Sequence, residues 1–593
     1  MKVYDDVYVP DEGPEDSPIL VVGEAPGFDE YTFKRPFIGA TREILDNCFS
    51  RHGAPRETLR LANLAHVRPW DNNFYNLVNT PFLRDGLAAL HQYILTHRPV
   101  VIAALGNFPM HYLTGKGRWT KDGLSGIGNW RGSILPYVDH TGKVHEDIKV
   151  VPTYHPANVL RNRSNYPIFD VDIKRIVEES TFRGLNYRER NIVINPQGME
   201  LEKWVKYLCE QPIFAVDIET IRKSTHIISI SFSPTPDLAV VIAPGTPVAN
   251  RAIDRILRSP AKKVFHFGTF DTLVLRLNGF VIEQDSESKL LRRPYWADTY
   301  LMQHVLEPEL PKTLAFLQSV LTREPYHKHE GKVDEDVKGW SKKQDKEQLF
   351  IYNGKDTCVD MEIYLELIKD LDELPENTRR IYDAEMSEIT LQHHISIAGM
   401  PFDLERRNLF KDALIAKWVK LQVLLEGVVG EEVNVRSPKL KNILYYKDAL
   451  GLPPRYEKKK ITTNDDALVS LISFCQNKIN TVVRDDTKRK WKIKLAVIKS
   501  IREIRSIRQM LSMYVLSELS EDGRSRSLYK NGPETGRWAA SKFVDGTGYN
   551  HMTNPRDPIE VSDEEFEKYK AHTELLKEVE QELLEEELAE EVL

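Results

Sequence analysis

Two short apolar runs, Pro18-Ile19-Leu20-Val21-Val22-Gly23 and Pro212-Ile213-Phe214-Ala215-Val216, each open a stretch in which strand-like and helix-like segments alternate. A buried strand at the head of such an alternation starts a sheet covered by helices. Two starts this far apart predict two α/β domains. The first takes in apolar runs at 99–105 and 148–153 and fades near residue 185. The second has strands near 214–218, 227–232, 238–243 and 263–267, then mostly helical sequence to about 375. From 376 the periodicity is helical, with Ser437 expected as N-cap and Pro438 at the first helical position. The expected domains are 1–185, 200–375, 376–556 and a tail at 557–593, in keeping with a 593-residue chain too long for one core.

Charge is unevenly spread. The net charge is -7, yet residues 557–593 hold fifteen Asp and Glu against three Lys, which leaves the first 556 residues at +5. A mildly basic body suits a phosphate backbone. Helix formers in the tail, with Leu575, Leu576, Val579, Leu583 and Leu588, suggest an apolar stripe. No apolar run reaches the roughly 18 residues of a membrane span, so no membrane is expected as a partner. The acidic start Met1-Lys2-Val3-Tyr4-Asp5-Asp6 lacks the apolar core of a secretory signal. A reducing, cytoplasmic setting is therefore expected, that of the host cell if the protein is viral. The four cysteines, Cys48, Cys209, Cys358 and Cys475, show no paired spacing, so neither a zinc ribbon nor an iron-sulfur cluster is expected, and any metal should be a hard cation on oxygen.

In Asp217-Ile218-Glu219 the carboxylates are two apart on an expected strand and project from one face. Asp271 follows the strand Val264-Phe265-His266-Phe267 at a strand-to-helix junction, and Tyr352 and Asp356 are four apart on one helical face. Four converging carboxylates can hold two Mg²⁺ or Mn²⁺ ions about 4 Å apart, which activate water and stabilise a leaving 3′ oxygen; Tyr352 can position that water. The segments Phe214–Thr220, His266–Asp271 and Tyr352–Asp356 resemble the proofreading domain of family A DNA polymerases, the DEDD exonucleases of the tyrosine subtype. Asp298-Thr299-Tyr300-Leu301-Met302 and Leu306-Glu307-Pro308-Glu309-Leu310-Pro311 look like the bacteriophage members. The resemblance implies a ribonuclease H-like fold, 3′-5′ hydrolysis of DNA, and metal binding by Asp217, Glu219, Asp271 and Asp356. The family usually has Asn four residues before the third carboxylate; here Phe267 stands there, beside His266.

Upstream, Val22-Gly23-Glu24-Ala25-Pro26-Gly27, Phe37 in Arg35-Pro36-Phe37-Ile38-Gly39, Asn63 in Leu61-Ala62-Asn63-Leu64 and His155 in Pro152-Thr153-Tyr154-His155-Pro156-Ala157 form an ordered series. It resembles the family 4 uracil-DNA glycosylases over nearly all of residues 17–180 and implies an α/β/α fold. An extruded uracil needs an aromatic face and an amide for its edge, which Phe37 and Asn63 supply. His155 can stabilise charge developing on the base, while an acid assists water attack, with Glu24 the first candidate and Glu30 the second. Typical members carry four cysteines around an iron-sulfur cluster; this sequence has none at the matching places.

Ile397-Ala398-Gly399-Met400-Pro401-Phe402-Asp403 and Asn434–Leu440 look like the start of a family A polymerase domain with its helical thumb. Lys488, Arg489, Lys490, Lys492 and Lys494, with Arg502, Arg505 and Arg508, are candidates for duplex phosphates. Thr535–Ser541 and Gly546–Asn550 resemble the early palm segment that grips primer-template DNA, with Arg537 the chief contact. Catalytic palm aspartates and fingers would follow in that family, and none is recognisable here. Two explanations stand: a second chain supplies them, making a split polymerase, or the polymerase part has become a DNA-holding platform. Other classes for the whole chain are a stand-alone repair nuclease with a glycosylase head and a non-catalytic DNA-holding subunit.

Overall fold

The computed structural model describes residues 7–121, 123–282, 295–328, 343–446, 450–457, 460–532 and 536–553. The acidic tail with its leucine stripe, and Thr535, lie outside the described residues. The chain forms two compact units, one of Met1–His393 with Lys530–Trp538, the other of His394–Tyr529 with Ala539–Leu593.

The first unit holds two sheets. Strands β1 (Ile19–Gly23), β2 (Arg60–Asn63), β3 (Val101–Leu105), β4 (Leu135–Val138) and β5 (Val144–Thr153) lie in the order β2-β1-β3-β5-β4. All pairs are parallel except β4 with β5. Every residue of β1 and β3 is buried, as expected of strands covered on both faces. Helices α1 (Arg42–Arg51), α2 (Pro81–His97), α3 (Asn107–Thr114) and α4 (Tyr166–Glu179) accompany this sheet. One core joins Val21, Ala103 and Val151 to Phe49 of α1 and Phe169 and Ile173 of α4; the other joins Leu20, Val22 and Ile102 to Leu90 and Ile94 of α2. Thr80 starts α2 by accepting the Leu83 N–H at 3.5 Å, with Pro81 at the first helical position.

Strands β6 (Asn191–Ile194), β7 (Ile213–Thr220), β8 (Ile227–Thr235), β9 (Leu238–Ile242), β10 (Lys262–Phe265) and β11 (Ala297–Asp298) form the second sheet, ordered β11-β10-β7-β8-β9-β6. The β7-β8-β9 meander is antiparallel, and β10 and β11 add in parallel on its other side. The edge strand β6 lies ahead of residue 200, where the sequence suggested this domain would begin. Helices α5 (Gly268–Leu277), α6 (Leu314–Leu321), α7 (Lys343–Glu373) and α8 (Glu376–Ala398) complete the region. Gly354 lets α7 lie close on the sheet, because a Cβ there would sit 2.6 Å from Ile192 Cγ2.

In the second unit α9 (Leu404–Val429), α10 (Asp465–Thr481) and α11 (Asp485–Met510) enclose Leu414, Trp418, Leu468, Leu471, Val497, Ile501 and Ile504. The helix expected at Pro438 begins at Leu440; Ser437 instead closes a turn, its hydroxyl accepting the Lys439 N–H at 3.1 Å and its carbonyl the Leu440 N–H at 3.0 Å. Two phosphate-contact assignments also need correction. Arg505 donates to the Val435 and Thr463 carbonyls, and Arg508 is buried against the Trp418 ring with 4.8 Å from guanidinium carbon to centroid. Both stems serve the helical core, so neither head faces a duplex. Arg502 is exposed and paired with Asp465 at 2.7 Å, while Arg537 is exposed. Arg505→Ala is therefore expected to destabilise this unit by roughly 1–3 kcal/mol through unsatisfied carbonyls. Arg537→Ala should leave the unfolding midpoint in place, as thermal unfolding would measure. Among the described residues no helix is long and apolar enough to cross a membrane.

Candidate active sites

Parallel sheets leave a crevice beyond the carboxyl ends of their strands, where loops diverge. In the first sheet that edge carries Glu24 after β1, Asn63 at the end of β2, Gly106 after β3 and His155 after β5. Register pairs Gly23 with Asn63. A Cβ on Gly23 would lie 2.5 Å from Asn63 Oδ1 and 2.7 Å from Phe37 Cζ, so glycine is what admits both side chains. Gly106 does the same on the other side: at φ +101°, its Cβ direction points 3.1 Å from Glu24 Oε1 and 3.6 Å from His155 Cβ. Phe37, Asn63, Glu24 and His155 thus line one crevice.

Burial sets their protonation. It pushes the Glu24 carboxyl up to about 7, against the lowering effect of nearby Arg161. Burial, aided by Arg161, lowers His155 to about 4, so its imidazole is neutral at physiological pH. His155 Nδ1 accepts the Ala157 N–H at 3.1 Å, which leaves the proton on Nε2. Glu30, the second candidate acid, has another job: one oxygen accepts the Phe37 N–H at 2.5 Å and the other the Gly27 N–H. Those bonds hold Phe37 in its left-handed conformation at φ 52° and leave the carboxylate poorly placed to activate water. Residues 10–179 contain one cysteine, Cys48, fully buried and with its thiol pushed up to about 11 by burial. The residues present do not fit an iron-sulfur cluster.

The second site lies where β7 runs under α7. Ligand oxygens of Asp217, Glu219 and Asp356 all lie within 4.8 Å of one another. Asp271 joins from the first turn of α5, its Oδ1 accepting the Ile218 N–H at 3.3 Å. The chain reaches α5 through Phe267, at φ 59°, whose N–H and that of Gly268 are held by Asp298 at 3.2 and 2.9 Å. Tyr352 stands one turn before Asp356 on α7, near enough to Asp356 and Glu219 for their charges, with burial, to hold its phenol well above the usual range, and its ring meets that of His327 at 5.7 Å between centroids.

Packing these acids together without a counter-charge makes ionisation costly. Burial and the neighbouring carboxylates hold Asp217 well above the usual range and push Glu219 up to about 8; burial takes Asp271 up to about 7. Asp356 is the exception, because burial alone would raise it, but hydrogen bonding to His327 outweighs that and holds it low. The donor set is all oxygen, with Asp217 and Glu219 half-buried and Asp271 and Asp356 buried, and it is short of positive charge, which fits hard divalent cations.

Three contributors escaped the sequence. His327 meets Asp356 at 2.8 Å across 29 residues, and no local spacing signals it. Asn353 donates to Asp217 Oδ2 at 2.5 Å; it stands three residues before Asp356 on the same helical face, a signal that was available. Asp298, at the end of β11, accepts the Phe267 and Gly268 N–H groups and so closes the turn between β10 and α5 that delivers Asp271.

Residues 10–179 match the family model of the uracil DNA glycosylase superfamily, and residues 193–372 match that of a 3′-5′ exonuclease. The type-4 uracil-DNA glycosylase of Thermotoga maritima is 32% identical over 173 residues, which are 28% of this chain and 76% of that protein. That of Archaeoglobus fulgidus is 31% identical over 171 residues, 29% of this chain and 81% of that protein. Among solved structures, the POL domain of Pol1 from M. smegmatis, in complex with DNA primer-template and dNTP, aligns at 16% identity and a TM-score of 0.41. That alignment covers 62% of this chain and 56% of that one.

Proposed function

Because the chain belongs to the uracil-DNA glycosylase superfamily through its first domain and carries a 3′-5′ exonuclease domain beside it, we propose that it excises uracil and removes 3′-terminal nucleotides from DNA. The observation that carries the nuclease part is the convergence of Asp217, Glu219 and Asp356 within 4.8 Å. With Asp271 they would hold two Mg²⁺ or Mn²⁺ ions, which supply a lowered water pKa and charge stabilisation for the leaving 3′ oxygen. Tyr352 orients the attacking water, and Asn353 keeps Asp217 turned to the cluster. The strand order, an antiparallel meander extended by two parallel strands, supports a ribonuclease H-like reading.

In the glycosylase crevice an extruded uracil stacks on Phe37 while the Asn63 amide donates to and accepts from its edge. As the N-glycosidic bond breaks, its electron pair passes to the base, and the Nε2–H of His155 donates to the oxygen that gains charge. Glu24 takes the proton of the water that adds to the sugar carbon.

Uracil release from single-stranded DNA should rise with pH through about 7, because Glu24 acts as its carboxylate, and stay level from there with His155 neutral. Glu24→Gln should flatten that rise, and His155→Ala should slow release roughly a hundred- to a thousandfold. A pH-independent rate, or full activity in both variants, would remove these assignments.

The family A motifs support a further part of the proposal. Residues 376–556 serve as thumb and partial palm of a bacteriophage-type replication enzyme in the host cytoplasm, with Arg537 on the primer-template and a second chain supplying polymerisation. Primer extension that requires the added chain supports this; extension by this chain alone contradicts it.

A further inference from the structure

Two buried sets of polar contacts, joined by the segment Gln318–His327, lie between the glycosylase crevice and the exonuclease carboxylates. Thr153, two residues before His155, donates to Asp172 Oδ2 at 2.7 Å. Asp172, with no exposure, accepts Arg131 Nε at 3.0 Å on both oxygens, and Arg131 Nη1 donates to Ser319 Oγ at 2.9 Å. Ser319 ends this first set in the glycosylase domain's neighbour, on α6. There the segment Gln318–His327 is pinned from the glycosylase side at two more points: Arg175 donates to the carbonyls of Val320, at 2.9 Å, and Thr322, and Ser133 Oγ accepts the Tyr326 N–H at 3.2 Å. The Trp130 and Tyr326 rings meet edge to face, 5.3 Å between centroids.

The far end of the segment reaches the metal-binding acids. Gln318, 1% exposed, spans it internally, donating to the Pro325 carbonyl at 2.6 Å and meeting His327 Nδ1 at 2.9 Å. With Nδ1 accepting, the His327 proton sits on Nε2, directed at Asp356 Oδ1 at 2.8 Å. His327 is itself 1% exposed, so neither water nor DNA replaces this bond.

We propose that the glycosylase domain shapes the exonuclease site: Gln318–His327 is a strap, anchored by Arg131, Ser133 and Arg175, that holds His327 as the positioning residue for Asp356. This rests on the exonuclease reading above. A ligand carboxylate bonded by a buried donor keeps one orientation, and loss of such a partner typically costs 10–100-fold in metal affinity. The anchor matters because the strap's hold on His327 runs through Gln318, which sits beside the anchored Ser319.

The test uses the full chain and reads Mn²⁺ binding by electron paramagnetic resonance, beside 3′-nucleotide release and uracil release. His327→Ala is expected to weaken Mn²⁺ binding about 10–100-fold, and His327→Gln, whose amide can still donate, to recover part of it. Arg131→Met risks unfolding, since it strands a buried carboxylate. The milder pair Ser133→Ala with Ser319→Ala should weaken Mn²⁺ binding severalfold with uracil release unchanged. Added to His327→Ala, that pair should cost nothing more, the non-additivity expected of residues acting through one another. Mn²⁺ binding unchanged by the serine pair, or costs that simply add, would overturn the coupling. A wild-type chain that binds no Mn²⁺ and releases no 3′ nucleotides would instead overturn the exonuclease reading and this proposal with it.

Discussion

Replacing Asp217 and Glu219 together by alanine is expected to abolish metal-dependent loss of 3′ nucleotides, by roughly a thousandfold or more, while uracil release stays at its original rate. Both side chains leave the same face of β7, and their oxygens share one small volume with Asp356. The double variant removes half of the four carboxylates at once, so the remaining Asp271 and Asp356 cannot reconstitute the donor set. The glycosylase crevice lies on a different sheet and supplies the internal control for folding. A labelled 3′ end that continues to shorten at the wild-type rate would show that the hydrolytic centre lies elsewhere.

The second large effect is on stability. Folded Asp217 is held well above the ordinary carboxylate range, Glu219 at about 8 and Asp271 at about 7. An acid whose folded pKa is raised contributes stability that is complete below its unfolded value, near 4, and is lost as pH rises through the folded value. Metal-free protein should therefore melt at progressively lower temperature from about pH 5 to pH 8. Mg²⁺ or Mn²⁺ should reverse that part of the loss by binding the native state, at roughly 2–4 °C for each kcal/mol regained in a domain of this size. Asp217→Asn with Glu219→Gln should raise the metal-free melting temperature at pH 8 and erase the response to metal, because the neutral amides no longer repel. Glu24 and Asp298, raised to about 7 and about 6 outside the ligand set, add a pH slope of the same sign that metal does not touch. Identical melting curves with chelator and with Mn²⁺ at pH 8 would contradict the account.

Much of the nuclease centre could be read locally. Asp217 and Glu219 are two apart on a strand, and Tyr352 and Asp356 four apart on a helix, so covalent geometry alone puts each pair on a shared face. Phe37, Asn63 and His155 were legible only as an ordered series, since each is common by itself. Reading failed where a charged side chain has a second use. Arg505 and Arg508 have the spacing of a phosphate-binding stripe, yet their stems pack into the helical core and their heads are occupied there. Glu30 has the right charge and the right loop, but two backbone N–H groups had already claimed it.

The sequence by itself determined which side chains share a face within each strand or helix, because the repeat of each element sets those directions over a few residues. Only the tertiary structure decided which faces meet. Gly354 lets α7 settle on the sheet so that Asp356 stands over Asp217, and the strap brings His327 to Asp356 from 29 residues away. Distances between elements are set by packing, and packing depends on every side chain between them.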